Sequence, residues 1–294
     1  MRLYNRQLEL IVYTTLTQTF TKLHVDFEVI ASVDPKELNT AKITVIGLDE
    51  ATRNLISDES LAVELRCGYG DARPKMIFRG TTTNIIHEKN GPNWYTTIFA
   101  GDGELEYSNK RVDKSYRKGT PVSKVFLDLA AALEIPFAFS VAPTDILISG
   151  QTYSGLVKDI LNDLCKTYEY SWSILYGTLE IKDKYEPFTL DPIITILRPD
   201  TGLIGAPEMT HRTGEGTKKS IYGVKATALL NSDIRPGRLI EIDAPRASLG
   251  QLPDLMKKLI ERSSVNGVYI CDKIRYYGNN YGGEFYVEVE ADLI

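Results

Sequence analysis

Alternation of apolar and polar residues with a period of two dominates both ends of this chain, and it leaves little choice of fold class. Leu8–Val12, His24–Ile30, Ile43–Gly47 and Leu61–Leu65 each place apolar side chains at every second position, which a half-buried strand requires and a helix cannot use. IFRGTTTNIIHE and WYTTIFAG flank the turn-rich segment Lys89–Asn93, where Asn-Gly supplies positive φ and Pro blocks strand continuation, so this stretch reads as a hairpin. A short helix, DEATRNLI, interrupts the strands near Asp49.

The period changes in the middle of the chain. Thr120 and Pro121 read as an N-cap and first-turn pair, and Val122, Val125, Phe126, Leu129 and Leu133 then recur at helical spacing until Pro136. A second helix is expected from about Ser154, with Leu156, Val157, Ile160, Leu161 and Leu164 as its apolar stripe. The hairpin YSWSILYGTLEIKD, turning at Tyr176–Gly177, follows it. Beyond it, LRPDTGLIGAPEMTHRTGEGTKK carries enough Gly, Pro and charge to read as a long exposed loop around a brief strand. Strands then return in SIYGVKATALL, GRLIEIDA, VYICDKIRYYG and GEFYVEVEADL, with a short helix expected from Pro253.

The expected architecture is therefore mainly β with an α+β insertion. Residues 1–112 and 191–294 form two tube-like β-barrel domains, and 113–190 a small helical α+β domain lying outside them. The β ends echo each other. A strand through Val63, Glu64 and Leu65 precedes the hairpin Ile85–Phe99, and one through Ile240, Glu241 and Ile242 precedes the hairpin Ile274–Val289. Paired aromatics follow the Gly/Asn turn in both, as a duplicated barrel requires.

Charge and motif content narrow the function. A net charge of −5 from 34 basic and 39 acidic residues argues against a protein that grips a phosphate backbone. No apolar run reaches a membrane-spanning length, and no export signal opens the chain. Cys67, Cys165 and Cys271 lie far apart with no CxxC pair, so a reducing compartment and no structural zinc are expected. His24, His87 and His211 sit in unrelated segments, and GYGDARP and GEGTKK both lack the features of a phosphate-binding loop. No catalytic, cofactor or metal site is expected. Asp102, Glu104 and Glu106 alternate along GDGELEY and would share one side of an extended chain. That spacing suits a metal or glycosidase carboxylate set, a solvated acidic face, or the lining of a channel that a polyanion must not stick to.

The run AKITVIGLDEATRNLI, then VELRCGYG, then IFRGTTTNIIHEKNG, resembles the opening domain of the baseplate hub proteins of contractile-tailed phages. LLNSDIRPGRLIEID followed by NGVYICDKIRYYGNNYGGEFYVEVEA is similar to the second barrel of that family. The resemblance implies a non-enzymatic homotrimer whose barrels form a pseudo-six-fold ring, with the tail tube protein above and the spike protein below. It also implies contact with the tape measure and other baseplate proteins, passage of DNA without sequence-specific binding, and a place in the virion after assembly in the host bacterial cytoplasm. A distal-tail protein of a flexible-tailed phage, a secretion-system spike component and a tail-associated peptidoglycan hydrolase are the alternatives. The acidic balance and the Leu203–Lys219 segment depart from the family pattern.

Overall fold

A computed structural model describes residues 5–34, 37, 39–57, 61–70, 72–102, 109–183, 186–188, 194–213, 220–244 and 265–294. Strands β1 (Arg6–Tyr13), β2 (Gln18–Phe20), β3 (His24–Ser32) and β4 (Thr40–Ile46) lead to helix α1 (Glu50–Leu55). Asp49 caps that helix by accepting from the Thr52 amide at 2.8 Å. Strands β5 (Ala62–Tyr69), β6 (Lys75–Asn90) and β7 (Asn93–Gly101) complete the first β segment. The middle holds β8 (Arg111–Tyr116), α2 (Val122–Leu133), β9 (Phe137–Phe139), β10 (Gln151–Leu156), α3 (Val157–Tyr168), β11 (Tyr170–Leu175) and β12 (Thr178–Asp183). The last segment holds β13 (Thr195–Leu197), a 3-10 turn, β14 (Leu203–Thr213), β15 (Ser220–Leu229), β16 (Leu239–Ile242), β17 (Gly267–Asn279) and β18 (Phe285–Leu293).

The two β segments are not separately closed barrels among the described residues. They form one thirteen-stranded sheet, in the order β14-β15-β18-β17-β3-β4-β7-β6-β5-β1-β2, with β16 and β13 attached beside β17. The join is the antiparallel pairing of β17 with β3, from Lys273↔Ser32 to Asn279↔Asp26. One buried apolar cluster runs through both segments, so Val29 and Ile43 share a core with Ile274 and Val289. Phe285 is fully buried, edge-on to Phe27 at 5.8 Å and to Tyr69 at 5.4 Å between ring centres.

Within that sheet the echo seen in the sequence is a repeated topology. The first segment has the order β3-β4-β7-β6-β5 and the last has β14-β15-β18-β17-β16, with every neighbouring pair antiparallel in both. The bulges also correspond. The ladder of β6 with β7 slips between Thr82 and Asn84, and that of β17 with β18 slips between Cys271 and Lys273.

A second cluster holds the middle together. Val122, Val125, Phe126, Leu129 and Leu133 of α2 pack with Val157, Ile160, Leu161 and Leu164 of α3, and with Trp172, Leu179 and Ile181 of the hairpin β11–β12. The period-3.6 apolar stripes of both helices are thus buried as their spacing demands. Local details differ from expectation at three places. The Thr120 hydroxyl donates to the Arg117 carbonyl, and Pro121 occupies the cap of α2 without a side-chain bond. Helix α3 starts at Val157 because Gln151–Leu156 is taken up in pairing with β8. Leu203–Thr213 is an eleven-residue strand, since its partner β15 supplies the ladder that the turn-rich composition concealed. The segment from Pro253 and the loop GEGTKK lie outside the described residues.

Candidate assembly interface

The histidines are the first place to look for chemistry, and the geometry assigns them structural roles. His24 lies 3.3 Å from Asp26 and against the Tyr281 ring. His211 packs beside Tyr222 on β14 and β15. His87 has a hydroxyl on each ring nitrogen: Thr96 at 2.9 Å from Nδ1 and Ser57 at 3.1 Å from Nε2. Ser57 donates its own proton to the Arg53 carbonyl at the end of α1, so its oxygen accepts from His87 Nε2–H. Nδ1 then accepts from Thr96. This is the reverse of a serine activated by a base, and among the described residues no carboxylate orients the imidazole. Burial, and then the nearby Arg53 charge, hold the His87 pKa below its usual value.

Among the described residues no group of His, Cys, Asp and Glu could hold a metal ion. Burial pushes the Cys67, Cys165 and Cys271 thiols up, and all three are unbridged and enclosed. The cavity lined by Val33, Ser171, Glu180, Lys182 and Phe188 has a volume of about 10 Å³, room for one water.

Asp102 is buried, 3% exposed, and its carboxylate is fully engaged. It accepts the amides of Tyr176 at 2.7 Å and Gly177 at 2.9 Å, while its own amide donates to the Asn39 carbonyl at 2.9 Å. Those two residues are the β11–β12 turn, with φ of 56° and 71°, the pair of left-handed conformations that a two-residue type I′ hairpin needs. Asn39 completes the clamp, donating to the Ile174 carbonyl at 2.7 Å and accepting from the Ser32 amide at 2.9 Å. Asp102 is therefore an interior joint between sheet and α+β unit and not a solvent-facing charge. Glu104 and Glu106 lie outside the described residues.

A second joint lies nearby. Arg238, in the connection before β16, meets Glu180 of β12 at 3.1 Å and stacks its guanidinium 4.2 Å from the centre of the Phe188 ring. Burial raises the Glu180 pKa, and Arg238 works against that rise. Leu175 enters the main sheet core, and Tyr176 lies under Arg235 at 5.2 Å. The tip of the α+β unit is thus built into the sheet, a coupling that no local pattern in the sequence signals.

Among the described residues the sheet leaves strand edge unpaired: β14 pairs with β15 alone, and residues Asn84–Asn90 of β6 pair with β7 alone. The fold is similar to that of solved phage tail proteins. A tail protein from Neisseria meningitidis MC58 superposes with a TM-score of 0.65 at 9% identity, covering 99% of this chain and 97% of that one. The 43 kDa tail protein of prophage MuSo2 from Shewanella oneidensis gives 0.62 at 8% identity, covering 97% and 98%. The E. coli c3393 protein gives 0.58 at 9% identity, covering 92% and 73%; it is described as a type VI secretion component structurally similar to T4 tail proteins gp27 and gp5. No protein-family profile and no curated protein matches the chain in sequence.

Proposed function

We propose that this chain is a structural baseplate-hub subunit of a phage tail. Three copies form a ring of six tube-like β halves, joining a hexameric tail tube to a trimeric spike and leaving a central passage for DNA. Residues 1–112 and 191–294 supply the halves, and 113–190 forms the unit outside the ring, tied back through Asp102 and Arg238. The observation that carries this reading is the repeated five-strand order within one continuous sheet. A chain with two like halves lets three copies present six like surfaces, the match needed between six-fold and three-fold neighbours. The near-complete superposition on tail proteins supports the same reading. The likeness to the E. coli c3393 protein favours, as a second reading, the equivalent place in a contractile secretion machine.

The role requires no catalysis, cofactor or metal. Glu104 and Glu106 are the remaining candidates for an acidic channel lining that repels DNA phosphate. Light scattering at rising concentration should give three times the chain mass of 33.0 kDa, and negative-stain images should show six-lobed rings. A stable monomer both alone and with the cognate spike would refute the reading, as would release of muropeptides from purified peptidoglycan.

A further inference from the structure

The strand order shared by the two halves makes the surroundings of one strand a template for those of another. After its bulge, β17 runs from Lys273 to Asn279 with β18 on one edge and β3 on the other. After the matching bulge, β6 runs from Asn84 to Asn90 with β7 on one edge and, among the described residues, no strand paired on the other. β3 opens its half, and its counterpart β14 likewise pairs with β15 alone. The chain therefore carries one completed β17–β3 junction and, at the two ends of the run from β14 to β6, the separate halves of a second.

We infer that the bare edge of β6 receives β14 of a second copy of this chain, antiparallel, repeating the β17–β3 junction between chains. The inference rests on the ring proposed above and specifies its seam. Its register follows from the ladders. Tyr276 sits opposite Val29, Val29 opposite Ala41, and Ala41 opposite Ala100. His87 occupies the place of Tyr276, and the place of Ala100 is taken by Ala291, which leads through Val224 to Met209. His87 then lies opposite Met209 of the neighbour, Ile86 opposite Thr210 and Ile85 opposite His211.

The pleat agrees with that register. Ile85 and Met209 both pack against the core, while Ile86, 38% exposed, and Thr210 face solvent. A slip of one residue would set core-facing positions against solvent-facing ones. The edge is lightly protected: from Asn84 to Glu88 it carries no Lys or Pro, the residues that usually blunt a free strand, and it exposes Ile86, with Lys89 standing next to its end at Asn90. A head-to-tail seam of this kind uses different surfaces on the two copies, so it gives no isolated symmetric dimer and makes the proposed ring where three successive rotations close.

The three native cysteines are buried, so introduced thiols can report the seam. Full-length Ile86→Cys and Thr210→Cys chains are mixed at a concentration where scattering shows association, oxidised, and run on a denaturing gel. Opposed Cα atoms in an antiparallel pair lie within disulfide reach, so the mixture should give covalent dimers, and the double variant covalent trimers. Pairing Ile86→Cys with Glu208→Cys should cross-link roughly tenfold less. Efficient cross-linking of either single variant with itself overturns the seam, as does association without cross-linking in the mixture, which leaves the ring itself standing. Absence of association at every concentration overturns both.

Discussion

Replacing Asp102 separates a structural acid from a channel-facing one. The carboxylate is 3% exposed and accepts two backbone amides, at 2.7 and 2.9 Å, from the turn that joins the α+β unit to the sheet. Hydrogen bonds to a charged acceptor contribute roughly 1.5–3 kcal/mol each, and their loss leaves the part-buried amides of Tyr176 and Gly177 without this partner. Asp102→Ala is therefore expected to cost about 3–6 kcal/mol. Asp102→Asn keeps one acceptor oxygen and turns an NH₂ toward the second amide, so about 2–3 kcal/mol is expected. At roughly 2–4 °C per kcal/mol, the asparagine variant should melt about 4–12 °C below the parent by differential scanning calorimetry. Tryptophan fluorescence gives a local check, because Trp172 lies in strand β11 of that hairpin and packs in the α+β core. If both variants melt within about 1 °C of the parent, the clamp carries no stability and the argument from burial and hydrogen bonding is wrong.

The second joint should behave as a buried ion pair. Arg238→Ala strands Glu180 in a site where its pKa is already raised by burial, and a loss of about 3–5 kcal/mol in urea unfolding is expected; Arg238→Met with Glu180→Leu should recover most of it. His87 supplies a pH dependence whose sign follows from its depressed pKa: the unfolded chain binds the proton more readily, so stability is complete above about pH 6.5 and is lost as pH falls below it. The slope of melting temperature between pH 7 and 5 should flatten in His87→Gln, and an unchanged slope would show that His87 does not contribute.

The strands and helices were legible because their signals are local. Alternation at His24–Ile30 or a stripe from Val122 to Leu133 specifies which side of an element must be buried, and backbone geometry converts that into a strand or a helix. Even the duplication was visible as an echo, since Val63–Leu65 and Ile240–Ile242 fall in β5 and β16, which hold the same place in the shared order. Where propensity and pairing disagreed, the partner prevailed. Leu203–Thr213 reads as loop on its Gly and Pro content, yet β15 offers its ladder, and Gln151–Leu156 is drawn from a helix start into a strand by β8.

The candidate site was less accessible than the fold. Asp102 looked like a surface acid because its alternation with Glu104 and Glu106 says nothing about a turn 74 residues further along the chain that presents two amides to it. The pairing of Arg238 with Glu180 is likewise invisible in either segment alone. Sequence by itself determined a β-rich chain with a helical unit between two related halves, through patterns each readable within a dozen residues. Only the tertiary structure decided that the halves are one sheet sharing one core, that the acid is interior, and which strand edges have no partner among the described residues. Those facts are set by pairings between residues up to 253 positions apart, such as Asn279 with Asp26, and free energy gained across such distances leaves no periodic trace along the chain.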